Sequence, residues 1–360
     1  MPVTLKDIAA RLNLSVTTVS RALGGYPEVA AETRQRVLQA AEEMGYHPDV
    51  TAQRLQKRRT DTIGFVIPTF GPRFSDPYFT ELLAGIGNET ARQQFELLIA
   101  TRSPGTPEER ETYERMVQGR RVDGLLVART RCRDERIAFL RRNGFPFVAF
   151  GRWEGELDFP YLDVDGQAGM DQATQHLIDL GHRRIAYIGA PCELMFAHFR
   201  LQGYRQAMER HGLPVEDDLI TVGDLTQKGG YEAAQRLLAL NVPPTAVLAA
   251  NDLTALGVVS AAQERGLEVG SDLSVVGFDN IPQVEHAHPP LTTVSQPIYD
   301  VGVTICRMLI QLLRGEELTE RHVRWQPELV VRSSSGPPGP GTRAGSAAHA
   351  IAGTERGGTS

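Results

Sequence analysis

From residue 62 onward the chain alternates short apolar runs with longer amphipathic stretches, and no other feature restricts its fold as much. The apolar runs are IGFVI (63–67), ELLIA (96–100), DGLLVA (123–128), FVAF (147–150), RIAYIG (184–189), AVLAA (246–250) and SVVGF (274–278). Helical periodicity occupies 79–94, 108–118, 134–143, 167–180, 200–211, 229–240, 252–265 and 298–314. Strands that alternate with helices pair in parallel, because each crossover returns the chain in the same direction, and the helices then cover both sheet faces. The 360-residue chain is too long for one ordinary core. The expectation is an α/β body of two doubly wound parallel-sheet subdomains.

Ligands of such sheets lie beyond the C-terminal ends of the strands. Phe70, Asp76 and Phe79 follow the first run, Arg152 and Trp153 follow FVAF, Asn251-Asp252 follow AVLAA, and Asp279-Asn280 follow SVVGF. Arg200 adds a guanidinium in FRLQG, at a helix start. Carboxylate, amide and guanidinium groups between aromatic faces suit a polyhydroxylated ligand: planar polar groups bond paired hydroxyls while rings cover a sugar's apolar face. Arg152 suits a hydroxyl or an acidic group equally. Asp252 and Asp279 also have a plainer reading, as caps on the segments that follow them.

Hydrophobic residues make up 41% and charged residues 23%, the balance of a soluble globular protein. The start shows no signal-peptide pattern, and no apolar run is long enough to span a bilayer, so a cytoplasmic location is expected. Cys132, Cys192 and Cys306 lie far apart in sequence without CxxC spacing, which argues against a disulfide framework or a zinc site. No P-loop lysine or G-x-S-x-G elbow occurs, and GIGNET (85–90) falls inside a helical stretch, where it reads as close helix packing. His286 and His288 have no third metal ligand near in sequence, and Asp163 and Asp165 fit a strand end leading into a capped helix. The residues therefore indicate no catalytic set, no metal and no cofactor.

The net charge of −6 conceals an asymmetry. Residues 1–60 carry nine Lys or Arg against six acids, whereas the remainder carries 29 against 38. A basic head on an acidic body suits separate partners for the two parts.

The head reads as three short helices. Thr4 caps the first, with Asp7 returning the bond in a variant of the capping box, and Leu5, Ile8, Ala9 and Leu12 fall on one face. Asn13-Leu14-Ser15 breaks it, and Ser15 caps a second helix with Val19, Ala22 and Leu23 inward and Val16, Thr17, Ser20 and Arg21 outward. A third runs from about Ala31 to Met44, with Val37, Ala41 and Met44 inward and Gly45 as terminator. One reading is a helix-turn-helix whose second helix enters the DNA major groove, with Arg21 on guanine and Val16 and Thr17 on thymine methyls or base edges. The other is a helical docking domain whose Ser and Thr are only caps. The segment YHPDVTAQRLQKRR favours the first reading. Its two-turn helix is too short to repay nucleation alone, and it ends in Lys57-Arg58-Arg59. With Ala52 and the wedge-like Leu55 on one side, it suits ordering in a minor groove.

VTLKDIAARLNLSVTTVSRAL (3–23), YHPDVTAQRLQ (46–56) and IGFVIP (63–68) together resemble the lactose-repressor/purine-repressor (LacI/GalR-type) family of bacterial transcription factors, over roughly residues 3–332. The resemblance implies that Val16, Thr17 and Arg21 read bases, and that Leu5, Ser15, Thr18, Ser20, Thr33, Tyr46 and Gln53 contact phosphates. It places Ala52 and Leu55 on a minor-groove hinge helix. It implies a periplasmic-binding-protein-like body with Arg200, Asn251 and Asp279 at effector positions and Tyr78-Phe79 on the pocket wall; Asp76 and Arg152 join this set from the strand-end reading. Gly24 departs from the usual asparagine, and Gly151 stands where many relatives carry an acid.

The expected organisation is a small all-α helix-turn-helix head (1–47), a hinge helix and linker (48–61) and a body (62–332). Within the body, an N-subdomain spans about 62–160 and 291–322 and a C-subdomain about 161–290 and 323–332. Residues 333–360, rich in Gly, Pro, Ser and Ala, are expected to be disordered, and they contain no leucine for a tetramer-forming heptad. The function so implied is a ligand-responsive repressor of sugar uptake or catabolism genes, a homodimer on a near-palindromic operator, released by a mono- or disaccharide. The alternatives are a corepressor-dependent repressor with a purine or nucleoside effector, a sugar-binding transport protein, and an enzyme of doubly wound fold.

Overall fold

The computed structural model describes residues 3–46, 59–69 and 76–339. Phe70 and the expected hinge residues Ala52, Gln53 and Leu55 lie outside them. The chain divides into two compact units, Met1–Thr60 and Asp61–Ser360.

The first unit holds α1 (Leu5–Leu12), α2 (Val16–Leu23) and α3 (Ala31–Glu43). Asp7 accepts from both the Thr4 backbone N–H (2.8 Å) and the Thr4 hydroxyl (2.7 Å), fixing the start of α1. Asn13 ends that helix in the left-handed conformation at φ 51°, which turns the chain into α2. Ile8, Val19 and Val37 are fully buried, with Ala22, Ala40 and Ala41 packed between them. Each of the large three contributes roughly 1.5–3 kcal/mol by leaving water, so the unit rests on a small core.

The second unit contains two six-stranded sheets. The N-lobe sheet consists of β1 (Thr62–Pro68), β2 (Glu96–Arg102), β3 (Gly124–Val127), β4 (Phe147–Phe150), β5 (Tyr161–Val164) and β11 (His322–Trp325), in the order β11-β5-β4-β3-β1-β2. It is flanked by α4 (Pro77–Arg92), α5 (Pro107–Gln118), α6 (Glu135–Arg142) and α11 (Ile298–Arg314). The C-lobe sheet consists of β6 (Ile185–Gly189), β7 (Ile220–Val222), β8 (Ala246–Ala249), β9 (Ser274–Asp279), β10 (Thr292–Ser295) and β12 (Glu328–Val330), in the order β12-β10-β9-β8-β6-β7. Its helices are α7 (Gly166–Asp179), α8 (Met195–Arg210), α9 (Gln227–Leu237) and α10 (Asp252–Glu264). All neighbours pair in parallel except β10 with β12. Of the glycines of GIGNET, Gly85 packs closely, since a Cβ there would stand 2.1 Å from the Tyr299 carbonyl oxygen of α11, whereas a Cβ on Gly87 would meet nothing within 4 Å.

Three crossings join the lobes, and each falls later in the sequence than expected. Tyr161 and Leu162 pair with Ala149 and Phe150, so the chain leaves the N-lobe after Val164 rather than near 160. Thr292–Ser295 pairs with β9 of the C-lobe, which moves the return from 290 to between Ser295 and Ile298. His322–Trp325 pairs with β5, so the last crossing lies between Trp325 and Glu328 rather than at 322. The reason is geometric: a parallel strand must run its length before its C-terminal end reaches the space between the lobes.

The tail expectation also needs correcting at its near end. Residues 333–339 pack on the C-lobe, with Ser334 fully buried. Its hydroxyl accepts from Thr292 N (2.8 Å) and donates to Val275 O (2.6 Å), while its carbonyl accepts from Val275 N (2.8 Å). Buried His182 bonds Thr245 Oγ1 (2.8 Å), Ser274 Oγ (3.0 Å) and Gly336 O (2.8 Å). A Gly-Pro-Ser composition here describes a strap whose small residues reach backbone groups, not a solvated chain.

Candidate functional site

In the first unit, α2 presents a small-residue face to solvent. Ser15 Oγ accepts from Thr18 N (3.0 Å) and lies 2.8 Å from Thr18 Oγ1, so one hydroxyl proton lies between the two oxygens and the other is free to point outward. Val16 (41% exposed), Thr17 and Arg21 stand exposed on one side, while Val19 and Ala22 face the core. Leu5, Thr18, Ser20, Thr33 and Tyr46 are partly exposed.

The body's site is a cleft where the C-terminal ends of both sheets meet. Among the described residues it is lined from the N-lobe by Tyr78, Arg129, Thr130, Phe150, Gly151, Arg152 and Asp163, and from the C-lobe by Phe196, Phe199, Arg200, Leu225, Asn251 and Asp279. Two crossings contribute to its wall, the first through Val164 and Gly166 and the second through Gln296.

Each guanidinium in the cleft has a carboxylate. Arg129 Nη2 donates to Asp76 Oδ2 (2.5 Å), and Arg152 Nε donates to Asp163 Oδ2 (2.6 Å). Arg200 Nη2 lies 3.7 Å from Asp279 Oδ1, and its Nη1 donates to the Ala250 carbonyl. Arg200 is sandwiched between Phe278 (3.6 Å) and Phe196 (4.5 Å), and Arg152 lies 4.1 Å over Phe199 of the opposite lobe. Arg200 Nε is buried without a hydrogen-bond partner, and it lies 3.6 Å from where a Gly166 Cβ would stand. A buried, unpaired donor is costly until an acceptor arrives, so this atom is suited to a ligand oxygen.

Asp279 sits at φ 120° and accepts from Gln296 Nε2 (2.5 Å). Burial pushes its carboxyl up to about 6, against the opposing pull of Arg200. Asn251 caps α10 through Thr254 N (3.1 Å) and holds the Leu225 carbonyl (3.1 Å), which fixes the amide at the cleft floor. Asp252 is fully buried; it takes Ile281 N (2.9 Å) and Thr293 Oγ1 (2.5 Å), and so braces the loop after β9 instead of facing the cleft.

Several candidates shift role. Phe79, expected on the wall, is buried in the N-lobe core behind Tyr78, with ring centroids 5.1 Å apart edge-on. Asp76 is one layer back: one oxygen caps α4 at Tyr78 N and the other holds Arg129. Trp153 leaves the cleft entirely, packing on Phe159 and under Arg141. Arg129 escaped the sequence reading although it closely follows a recognised strand; the strand-end rule, applied to DGLLVA, points to it. Gln296 follows a strand that was not recognised, and the interlobe stacking of Phe199 on Arg152 has no sequence signal.

The rim of the cleft carries an interlobe backbone bridge. Arg131 pairs antiparallel with Leu194, Cys132 N donates to Glu193 O (2.9 Å) and Met195 N donates to Thr130 O (2.9 Å). Cys132 and Cys192, distant in sequence, meet here.

A helix-turn-helix unit joined in sequence to a two-lobed body with a polar, aromatic-walled cleft defines the class: a regulator that binds DNA with its head and a small molecule with its body. Residues 4–49 match the family described as "Bacterial regulatory proteins, lacI family", and residues 174–335 match the "Periplasmic binding protein-like domain". The chain belongs to the LacI family of ligand-responsive bacterial transcriptional regulators. It is similar to the HTH-type transcriptional regulator AglR of Rhizobium meliloti (strain 1021), at 40% identity over 94% of this chain and 95% of that one. Among solved structures, the CelR–cellobiose complex matches at 34% identity and TM-score 0.72, covering 92% of this chain and all of that one. The lac repressor dimer bound to operator and the anti-inducer ONPF matches at 27% and TM-score 0.82, covering 93% and 100%. Among the described residues, no helix is long and apolar enough to cross a membrane.

Proposed function

We propose that the protein is a repressor of sugar uptake or catabolism genes that binds a near-palindromic operator as a homodimer and is released by a neutral mono- or disaccharide. The observation that carries the effector class is the charge balance of the cleft: Arg129, Arg152 and Arg200 are each matched by an aspartate within 3.7 Å. Among the described residues an anionic ligand finds no surplus cation there, whereas hydroxyls find paired acceptors and donors between aromatic faces. The ion pair of Arg152 with Asp163 supports a role for Arg152 in orienting a hydroxyl rather than neutralising an acid. The cellobiose bound by CelR supports the same reading.

In this mechanism Val16, Thr17 and Arg21 read bases, Leu5, Ser15, Thr18, Ser20, Thr33, Tyr46 and Gln53 contact phosphates, and Leu55 beside Ala52 wedges into the central base step. Arg200, Asn251 and Asp279 hold the effector, with Asp76 and Phe79 supporting Arg129 and Tyr78 from behind. A ligand hydroxyl at Asp279 competes with Gln296, which stands at the second crossing, and so biases the angle between the lobes. The test is a gel shift of the full chain on DNA from beside its own gene, titrated with neutral sugars, sugar phosphates and nucleosides. A neutral sugar should release the complex. Release by a phosphorylated sugar alone, or tighter binding with a nucleoside, would overturn the effector assignment.

A further inference from the structure

The Cys132–Cys192 pair is not used by this mechanism, and it lies at the rim where the two lobes exchange backbone hydrogen bonds. Cys132 follows β3 in the N-lobe, and Cys192 follows β6 in the C-lobe. The Cys132 Sγ lies 3.8 Å from the Cys192 carbonyl oxygen. The antiparallel pairing of Arg131 with Leu194 holds the two short segments side by side. Cys132 N bonds to Glu193 O, so Cys192 lies one residue from the position directly opposite Cys132, and the contact of the Cys132 sulfur with the Cys192 carbonyl keeps the two residues adjacent. Cys192 is exposed and sits in a turn, so its side chain can supply the remaining adjustment.

We infer that Cys132 and Cys192 form a reversible disulfide that locks the lobes in the arrangement in which this rim bridge is formed. Partial burial and the neighbouring Glu154 hold the Cys132 thiol above its usual value, so exposed Cys192 is the sulfur that meets an oxidant first. A hydroperoxide oxidises the Cys192 thiolate to a sulfenic acid, releasing hydroxide, or alkoxide from an organic hydroperoxide. Cys132 then attacks the Cys192 sulfur, its proton leaves with the sulfenic oxygen as water, and the S–S bond forms. With hydrogen peroxide, two thiols and one oxidant thus yield one disulfide and two waters. A dithiol reductant reverses the link by thiol–disulfide exchange.

The consequence is mechanical. In the reduced protein the bonds from Cys132 N to Glu193 O and from Met195 N to Thr130 O must break whenever the lobes part. Once the sulfurs are joined, opening at this rim requires rupture of a covalent bond, so the lobe angle no longer follows the ligand. The lock concerns the cleft alone and does not depend on which ligand the cleft takes.

The full chain, fully reduced and then treated with hydrogen peroxide, should yield on alkylation and non-reducing digestion a linked peptide containing Cys132 and Cys192, lost on adding dithiothreitol. Amide hydrogen exchange at Cys132 and Met195 should slow by about tenfold or more in the oxidised protein, because those amides exchange only when the rim opens. Cys192→Ser should show neither effect. Absence of the linked peptide, linkage through Cys306 or between two chains, or unchanged exchange after linkage would each overturn the inference.

Discussion

Arg21 is the residue on which sequence reading in the head concentrates. It stands exposed in the last turn of α2, on the side that also shows Val16 and Thr17, and its guanidinium fits the paired acceptors of guanine. Arg21→Ala should cost about 1–3 kcal/mol of specific binding and relax preference at one base pair in each half-site. A competition assay showing unchanged base preference would move the reading elsewhere. In the cleft, if Asp279 holds the effector as proposed, the ligand equilibrium should be sensitive to pH. Its carboxyl, lifted by burial to about 6, is mostly neutral below that pH and mostly ionised above it. A ligand hydroxyl donates to the ionised form, so affinity should rise as pH increases from 5 to 7, with proton release on binding in the lower part of that range. Calorimetry in two buffers of different ionisation enthalpy checks this, and proton uptake would reverse the assigned donor and acceptor. Polar groups at strand ends were legible because the strands were. What the sequence withheld was second-layer assignment: nothing in the spacing of Asp76, Tyr78 and Phe79 says that the first supports Arg129 or that the last belongs to the core.

Elements were legible in proportion to how apolar their own sequence is, whatever their burial. The seven strands built on apolar runs announce themselves by composition. Tyr161–Val164, Ile220–Val222, Thr292–Ser295, His322–Trp325 and Glu328–Val330 do not, since they are three or four residues long and carry polar side chains. Pairing with a neighbour makes them strands, a tertiary effect that local propensity does not register. Missing them displaced all three lobe crossings by several residues. The strap at 333–339 was misread for the same reason, because its bonding is to backbone and hydroxyl groups far away in sequence. Ending the chain at Arg332 should therefore lower stability by about 2–4 kcal/mol, through buried groups such as Val275 N, Thr292 N and His182 that lose their partners. Ending it after Gly339 should leave stability unchanged. Urea unfolding of the two truncated proteins decides, and equal midpoints would show that the strap contributes nothing.

At the scale of the whole molecule, two equilibria share one chain, and their sensitivities need not match. Head and body are separate compact units, and the basic surplus lies in the first 60 residues. The pairing of every cleft guanidinium with a carboxylate has a consequence for how the two equilibria respond to ionic strength. DNA binding displaces condensed counterions, so its constant should fall with a log–log slope of roughly −0.9 for each phosphate neutralised. The cleft is neutral overall among the described residues; if its ligand is neutral as proposed, binding displaces none, and the constant should stay flat over the same range. Added electrolyte would then detach the protein from DNA while leaving its occupancy by ligand untouched, which makes the two linked equilibria separable without any mutation. Parallel slopes for ligand and operator would mean that the cleft takes an anion after all. If the slopes diverge, the electrolyte concentration of the medium sets how much repression there is to relieve, and the ligand concentration sets how much of it is relieved.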